Sequence, residues 1–447
     1  MAKCLRAVNL FSEYGGYIFL PKCRAISSDP KRLYGSRYDA LLLRGIGMPA
    51  QSLDPFVSDS LPARFGRYVL LERAAVGGMA EIFLAQRVEG HLDGHLDGHH
   101  AKLLVIKRVL PELCREPSFR DMFDREASIA MRLHHPNIAR VFGLENVGGR
   151  QCITMEHVVG VDLRQLVRLV RAESAREVPL ELALSVVAQV CRGLDYAHAQ
   201  ADANGKPIRI IHRDISPQNI MVGLDGVVRI VDFGVAQCVQ FADQEVTRSG
   251  KLKGKLPYMS PEQARGERID HRSDLFSAGV VLFELTTGKR LFKRANEFET
   301  LKRVCEARHS RPSEVKPGYC GELEAIVMKA LAPDADGRFA TGYEMSVAIE
   351  AYAAAKSIDI SGESVARAMR YFAGAKLAED QARARGHLSN DEPADLGDRR
   401  SHSTVRPIAA TYRPPGAQRA RVPMGVVTIA LAIGTALGAL GARLVGS

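Results

Sequence analysis

Hydrophobic and polar residues first fall into a regular order near residue 67. Apolar side chains take strand spacing in Arg67–Leu71 and again in Glu81–Ala85, with the glycine-containing stretch AAVGGMA between them. Alternation of this kind is typical of a strand with one buried face, and glycine favours a tight turn. The pattern predicts a β-hairpin, followed by a further strand at Leu103–Val109.

A helical period replaces the strand period at Phe119–Leu133. The sequence His135-Pro136-Asn137 ends this helix, and strands are predicted at Ile138–Glu145 and Gln151–Glu156. Beyond them the pattern is mostly helical, with long amphipathic stretches at Leu180–Ala201, Ser273–Thr287, Gly321–Ala332 and Tyr343–Ala355. Strands first and helices afterwards predict an α+β domain with two lobes.

The same pattern divides the chain into successive segments. The two-lobed domain is predicted at residues 65–355, with an N-lobe at 65–158 and a C-lobe at 159–355. The preceding arm, 1–64, is predicted to be disordered, and its first 47 residues are either such an arm or not part of the natural translation product. After the domain come a helical extension, 356–385, a basic disordered linker, 386–421, an apolar segment, 422–442, and a short tail, 443–447.

The segment 422–442 carries no charged residue and is long enough to cross the hydrocarbon core of a bilayer. The arginines that precede it outnumber the single Arg443 that follows, an asymmetry that predicts the large domain on the cytoplasmic side. We therefore expect a single-pass protein of the inner (cytoplasmic) membrane. Gly434 and Gly438 form a GxxxG motif that permits a homodimer, although a segment rich in alanine and glycine also contains this motif by chance.

Charge and cysteine content narrow the classes of function. The net charge of +10 lies largely in the flanking segments, and we therefore predict no nucleic-acid partner. The eight cysteines form no CxxC pair, which argues against a zinc ribbon and a disulfide framework. The repeat HLDGHLDGHH at 91–100 has no cysteine partner, so a surface loop rather than a metal site is predicted there.

The candidate chemistry concentrates in two motifs of the helical half. HRDISPQN occupies His212–Asn219, and DFG follows at Asp232–Gly234. With these motifs in the correct order, the chain from Tyr68 to about Ala351 resembles a eukaryotic-type serine/threonine protein kinase of the kind also found in bacteria. The resemblance implies the bilobal protein-kinase fold, ATP and Mg²⁺ as cofactors, and proteins as substrates.

The resemblance assigns roles to five side chains. Asp214 is similar to the aspartate that accepts the proton of the substrate hydroxyl, and Asn219 and Asp232 are similar to the two ligands of Mg²⁺. Lys107 resembles the strand lysine that holds the α- and β-phosphates, and Glu126 resembles its partner on the first helix. A lysine in an otherwise apolar strand requires such a partner.

The nucleotide site is expected between the hairpin and the connection to the second lobe. The backbone of Glu156 and Val158 is expected to bond the adenine edge, and Asp162 is a candidate for the ribose hydroxyls. The phosphate-covering loop comprises Ala74, Ala75, Val76, Gly77, Gly78, Met79, Ala80, Glu81 and Ile82. It keeps only the middle glycine of the family pattern GxGxxGxV, so we expect weakened nucleotide binding.

A second departure is Ser216, which stands where serine/threonine kinases usually carry a lysine facing the transferred phosphate. Its loss removes one piece of charge stabilisation, which a nearby basic residue or Mg²⁺ alone could replace. Lys255 stands where the family often carries a threonine. Together with other cations of the activation segment it hints at substrates with acidic flanks.

The activation segment closes with the SPE motif. By the same resemblance, Glu262 of this motif is expected to form a buried ion pair with Arg338, and Asp274 to support the backbone of the catalytic loop. Thr247 and Ser249 are candidates for phosphorylation that orders the segment. Ordinary polar loop residues are the alternative.

Two classes of function remain open. The first is an active, membrane-tethered serine/threonine kinase that phosphorylates proteins, itself included. The second is a pseudokinase or scaffold that keeps the fold without efficient turnover, which Ala75, Ala80 and Ser216 favour. A tyrosine-directed kinase is a lesser alternative, because Pro217-Gln218 does not resemble the Ala-Ala-Arg run of that class.

Overall fold

The computed structural model of the chain describes residues 61–77, 79–88, 103–115, 117–174, 177–202, 204–233 and 255–389. All of them belong to one compact unit of the chain, residues 1–403. Within this unit the strands precede most of the helices, as the sequence pattern predicts.

The first lobe is built on a six-stranded antiparallel sheet with strand order β1-β2-β3-β4-β6-β5. Its strands are β1 Ala63–Phe65, β2 Tyr68–Val76, β3 Ala80–Arg87, β4 Leu103–Val109, β5 Val141–Val147 and β6 Arg150–Glu156. Helix α1, Pro117–Ala130, covers one face of the sheet, because Phe119 and Phe123 pack with Val109 and Ile153 in one apolar cluster. The sheet thereby holds the nucleotide-loop hairpin and the Lys107 strand side by side.

A small three-stranded sheet opens the second lobe. Its strands are β7 Gly160–Asp162, β8 Ile220–Gly223 and β9 Val228–Ile230, in antiparallel order. The HRDISPQN loop enters β8, and DFG leaves β9. Pairing of β8 with β9 therefore brings the two motifs together.

Helices form the rest of the second lobe. Their bounds are α2 Leu163–Ser174, α3 Leu180–His198, α4 Pro261–Ala264, α5 Arg272–Thr287, α6 Glu297–Cys305, α7 Pro312–Val315, α8 Gly321–Ala330, α9 Gly342–Ala355 and α10 Gly362–Ser389. Helices α3 and α5 pack together at the centre and are buried along nearly their whole length. Leu, Val and Ala dominate this core, in keeping with a chain that has no Trp.

Helix α10 lies on the second lobe and reaches the first. Val365, Met369, Ala373 and Leu377 recur every fourth residue on one face and are buried in the main core. The helix contacts α2, α3, β7 and β8, and towards its end it contacts β2. The main chain approaches closely at its start, because a Cβ on Gly226 in the β8–β9 turn would lie 1.9 Å from the carbonyl oxygen of Gly362.

The long periodic elements agree with the sequence predictions to within a few residues. The first strand was not predicted, and it places Ala63 and Arg64 in the sheet rather than in the disordered arm that the sequence predicts for 1–64. Helix α10 also extends to Ser389, beyond the predicted end at residue 385. A three-residue strand shows no measurable period, and a helix with alanine and charged residues on its exposed face has no clear end signal.

The described residues contain no helix long and apolar enough to cross a membrane. The predicted membrane segment, 422–442, lies outside them, as do most of the predicted linker and the histidine repeat.

The packing of α10 predicts a large stability difference between its two faces. We expect Met369→Ala, which empties a fully buried position, to lower the free energy of unfolding by about 2–4 kcal/mol. Tyr371→Ala, two residues further on and 69% exposed, should change it by less than about 1 kcal/mol. Chemical denaturation of both full-length variants measures this. Equal stability of the two variants would show that α10 is not docked in solution.

Candidate active site

One buried carboxylate holds the catalytic loop. Asp274, in the first turn of α5, accepts hydrogen bonds from the backbone N–H groups of His212 at 2.8 Å and Arg213 at 2.7 Å. His198 on α3 donates a third hydrogen bond at 2.8 Å. Burial raises the pKa of Asp274, but the hydrogen bond and charge of His198, with those of His212, outweigh it and lower the pKa. The carboxylate is therefore ionised. Its hydrogen bonds to two backbone N–H groups of the catalytic loop confirm the predicted support of that loop.

The loop that Asp274 supports contains a strained residue. Arg213 has a φ of 67°, in the left-handed region that residues with a side chain rarely adopt. Such strain persists where the surroundings over-determine the conformation. Here Asp274 binds the N–H of Arg213, and the Gln263 amide donates to its carbonyl oxygen at 3.0 Å. The strained turn sets the direction of the next residue, Asp214.

Asp214 and Asn219 form the first predicted site pair. The Asn219 amide donates from Nδ2 to Oδ2 of Asp214 at 2.8 Å and to its carbonyl oxygen at 2.9 Å. The Asn219 N–H closes the turn on the Ser216 carbonyl at 2.9 Å. With Nδ2 committed to Asp214, the remaining polar atom of the Asn219 side chain is its acceptor, Oδ1. A second donor to Oδ2 of Asp214 is the ammonium group of Lys255.

Lys107 and Asp232 form the second pair. The Lys107 ammonium on β4 lies 2.8 Å from Oδ1 of Asp232; the Lys107 side chain is buried, and that of Asp232 is 26% exposed. Burial raises the pKa of Asp232, but Lys107 outweighs it and lowers the pKa, with smaller contributions from Lys255 and His212. Asp232 has a φ of 61°, a second strained residue at the site. This ion pair joins the sheet of the first lobe to the DFG motif of the second.

Glu126 lies in α1, as predicted, but its side chain is not among those that the structure describes. The predicted Lys107–Glu126 pair therefore stays a prediction. The same holds for Gly78, Thr247 and Ser249, which lie outside the described residues.

The phosphate-covering loop is the tight turn between β2 and β3. The Gly77 N–H donates to the Ala80 carbonyl at 2.8 Å, and a Cβ on Gly77 would lie 3.3 Å from that oxygen. Gly77 does not adopt a positive φ. Glycine is favoured at this position because the main chain of Ala80 approaches closely. Ala74, Ala75 and Val76 form the exposed end of β2 on one side of the turn.

The other side of the turn carries Met79, Ala80, Glu81 and Ile82. Met79 packs against the apolar cluster under α1. The Glu81 side chain faces Arg108 at 2.8 Å and not the turn, and although burial raises the pKa of Glu81, the hydrogen bond from Arg108 lowers it. Glu81 thus stabilises the sheet, and only its backbone is placed to meet a nucleotide.

The connection between the lobes carries the remaining predicted positions. Glu156 ends β6, and its carboxylate accepts from Arg229 at 3.1 Å, which leaves the predicted adenine contacts to the backbone. Val158 is buried just beyond the strand. Asp162 accepts from the Gln165 N–H at 2.8 Å, so at least one of its oxygens caps helix α2.

Sequence reasoning missed the contacts of three side chains in and around the site. His198 supports Asp274 from 76 positions away, and no local signal marks it. Arg108 follows Lys107 in the strand and is buried over the ring of Phe83. A second cation in an apolar strand is a signal that it too has a buried partner, which here is Glu81. The third is Lys255, which the sequence marks as a departure from the family pattern and as one of the cations that hint at acidic substrates, but not as a partner of Asp214.

The donor set fits Mg²⁺. Among the described residues no cluster of three or more His, Cys, Asp or Glu side chains could enclose a metal ion. Asp232 and Asn219 instead offer oxygen atoms on neighbouring chain segments. Mg²⁺ prefers such a partial set, because it keeps waters and phosphate oxygens as its other ligands.

The predicted Glu262–Arg338 pair is present. Arg338 donates from both terminal nitrogens to the two carboxylate oxygens, at 2.7 and 2.8 Å, and the Arg338 side chain is fully buried. Burial raises the pKa of Glu262, but the hydrogen bonds from Arg338 and Ser273 outweigh it and lower the pKa to about 2. The pair fixes the SPE end of the activation segment to the helical lobe.

The two lobes, with the two motifs brought together between them, are the arrangement that the resemblance to protein kinases implies. The sequence profile of the protein kinase domain matches residues 95–342, which is more than half of the 447 residues. The chain therefore belongs to the protein kinase domain family. The match begins after the altered glycine loop.

Individual proteins are also similar to this chain. Tyrosine-protein kinase MasK of Myxococcus xanthus is 39% identical over 290 residues, which cover 64% of this chain and 43% of that protein. Serine/threonine-protein kinase PknB of Mycobacterium tuberculosis is 34% identical over 283 residues, 62% of this chain and 42% of that protein. The match thus spans less than half the length of these relatives. The crystal structure of the M. tuberculosis PknI kinase domain is 22% identical, with a TM-score of 0.49, over 66% of this chain and 99% of that one.

The Glu262–Arg338 geometry predicts a pH-dependent stability. Glu262→Gln leaves Arg338 buried without its counter-charge and should cost about 3 kcal/mol at pH 7. Because the folded pKa is depressed, the contribution is complete above the ordinary value of 4.5 and is lost as the pH falls towards about 2. Urea unfolding of both proteins between pH 7 and pH 2.5 should show their stabilities converging below pH 4.5.

The matched control is Glu267→Gln, which breaks a more exposed pair with Arg265 at 3.0 Å. Its cost should stay below about 1 kcal/mol. A stability gap between wild type and Glu262→Gln that does not change with pH would contradict the assigned ionisation.

Proposed function

We propose that this protein transfers the γ-phosphoryl group of ATP to Ser and Thr hydroxyls of proteins, its own included. The observation that carries the proposal is the meeting of the two pairs, Lys107–Asp232 and Asp214–Asn219, on adjoining segments of the site. Phosphoryl transfer depends mainly on positioning and charge, and these pairs supply both.

Each side chain has a role that its contacts support. Asp214 is the acceptor for the proton of the substrate hydroxyl, and Asn219 fixes the direction of its carboxylate. Lys107 would bind the α- and β-phosphates of ATP. In the structure its ammonium group pairs with Asp232. Asp232 and Oδ1 of Asn219 would hold Mg²⁺, which supplies neutralising charge to the phosphates when bound.

The choice of Ser and Thr over Tyr rests on sequence and on relatives. PknB is named a serine/threonine kinase, and a further relative in Streptomyces coelicolor, 34% identical over 291 residues, is named a probable one. MasK is named a tyrosine kinase. Pro217-Gln218 in the catalytic loop differs from the Ala-Ala-Arg run of tyrosine kinases, which favours Ser and Thr.

The test is phosphate transfer by the full-length chain with Mg·ATP and a general protein acceptor. We expect Asp214→Asn to lose at least about 100-fold in rate, because the proton acceptor is gone. Asp121→Asn, an exposed carboxylate on α1, should leave the rate unchanged. Phosphopeptide mapping should find phosphoserine and phosphothreonine.

Three results would contradict the proposal in different ways. Equal incorporation by wild type and Asp214→Asn would place the activity elsewhere. Nucleotide-dependent thermal stabilisation with no incorporation would indicate a pseudokinase or scaffold. Phosphotyrosine alone would reverse the acceptor class.

We also propose that the protein is held in the inner membrane by residues 422–442, with the kinase domain cytoplasmic. The support is the uncharged length of that segment and the arginines on its N-terminal side. Packing through Gly434 and Gly438 would then bring two kinase domains together, which favours phosphorylation of one copy by another.

Membrane attachment predicts a simple fractionation result. The full-length chain should stay in the membrane pellet after carbonate extraction, because an integral helix is not released by high pH. A chain ending at residue 421 is the matched control and should be found in the supernatant. Release of the full-length chain by carbonate would show that the segment does not span the bilayer.

A further inference from the structure

The catalytic loop carries Ser216 where the family has a cation, and this serine has no polar contact through its side chain within the part of the chain that the structure describes. Ser216 is 2% exposed, and its Oγ makes no hydrogen bond to any described residue. A buried hydroxyl without a partner contributes no charge and destabilises slightly. Ser216 therefore supplies no positive charge beside Asp214.

Lys255 brings a positive charge to the same place from a distant part of the chain. Its ammonium group pairs with Oδ2 of Asp214, 41 positions earlier. The Asp214 side chain is 18% exposed and that of Lys255 is 44% exposed. The amine thus lies at the mouth of the site, with one side on Asp214 and the other towards solvent.

The backbone of Lys255 is well anchored. Its carbonyl accepts from the Tyr258 N–H at 3.0 Å, which begins a short buried turn at Leu256–Tyr258. The Tyr258 hydroxyl donates to Glu284 at 2.9 Å, and its carbonyl accepts from Ser277 at 2.7 Å. These contacts tie the turn to helix α5, so the Lys255 side chain starts from a fixed point.

Lys255 also lies beside a side chain assigned to Mg²⁺. The Asn219 amide donates to Oδ2 of Asp214 at 2.8 Å, and the Lys255 ammonium group pairs with the same oxygen atom. The amine is therefore next to both the carboxylate assigned to the acceptor hydroxyl and a residue assigned to the metal. A phosphoryl group in transfer moves between the metal-bound nucleotide and the acceptor hydroxyl, so the amine is close to its path.

We propose that Lys255 supplies, from the end of the activation segment, the cation that the catalytic loop lacks at Ser216, and that it binds the γ-phosphoryl group during transfer. This rests on the proposed function. In the structure without nucleotide the amine pairs with Asp214, and in the reaction it shares its protons between Asp214 and the phosphoryl oxygens.

Lys255 forms and breaks no covalent bond in the transfer step. The acceptor hydroxyl oxygen forms a bond to the γ-phosphorus, and the bond from that phosphorus to the β–γ bridging oxygen breaks. ADP leaves with the electron pair, and Asp214 takes the hydroxyl proton. Lys255 stays protonated and stabilises charge on the equatorial oxygens. Its relocation would explain how a kinase tolerates serine at position 216.

A surface ion pair with no part in transfer is the alternative, and its loss would leave the transfer rate unchanged. A reciprocal exchange separates the two. In the full-length chain, Lys255→Met should slow single-turnover transfer by about 100-fold. Ser216→Lys combined with Lys255→Thr restores the usual family arrangement and should recover at least about tenfold of that loss. Lys302→Met, an exposed lysine on α6, is the control and should match wild type.

Lys255→Arg keeps the positive charge and, unlike the double variant, leaves the buried Ser216 unchanged. It should retain at least about tenfold more activity than Lys255→Met. Thermal unfolding of each variant verifies that it is folded. Lys255→Met as active as wild type would overturn the proposal, and so would Lys255→Arg no better than Lys255→Met.

Nucleotide affinity provides a readout that needs no turnover. Lys255→Met should weaken binding of the non-hydrolysable ATP analogue AMP-PNP, with Mg²⁺, by about tenfold and leave ADP binding unchanged. Equal weakening for both nucleotides, or none for either, would overturn the γ-phosphoryl contact. If the wild-type protein transfers no phosphate at all, the proposed function fails. The change in affinity for AMP-PNP relative to ADP still tests whether Lys255 contacts the γ-phosphoryl group.

Discussion

The site depends on one carboxylate that never meets a substrate. Asp274 binds two consecutive backbone N–H groups of the catalytic loop from a position that is 1% exposed. Without it, both donors would be buried next to an apolar core and would lack partners. The positive φ of Arg213 is stabilised by the hydrogen bond from its N–H group to Asp274. Asp214 points where it does as a consequence.

Charge at the site is arranged as two lysine–aspartate pairs from separate parts of the fold. Lys107 comes from the sheet of the first lobe, and Lys255 comes from the end of the activation segment. Asp214 lies in the catalytic loop before β8, and Asp232 lies just after β9. The ion pairs keep the acidic residues charged while no phosphate is present, and a phosphate can exchange with the carboxylates for the same cations. The site is thus assembled in advance.

The sequence predicted what local patterns can encode. HRDISPQN and DFG are contiguous motifs, and the long helices have a clear period, so both were found with the correct neighbours. The strand at Ala63–Phe65 and the sheet of β7, β8 and β9 are too short to show a period. The turning of Glu81 towards Arg108 could not be predicted, because it depends on which face of the hairpin is buried. His198 was invisible for a similar reason, since its partner is distant in sequence.

Helix α10 gives the two lobes a further connection, in addition to the chain segment between β6 and β7 and the Lys107–Asp232 pair. Arg383 near its end lies 3.4 Å from Glu72 on β2, and the two side chains are 55% and 35% exposed. A pair of this kind contributes less than about 1 kcal/mol, and dissolved ions screen it. Its restraint on the first lobe therefore weakens as ionic strength rises. The contact between α10 and the first lobe therefore depends on the surrounding ions as well as on packing.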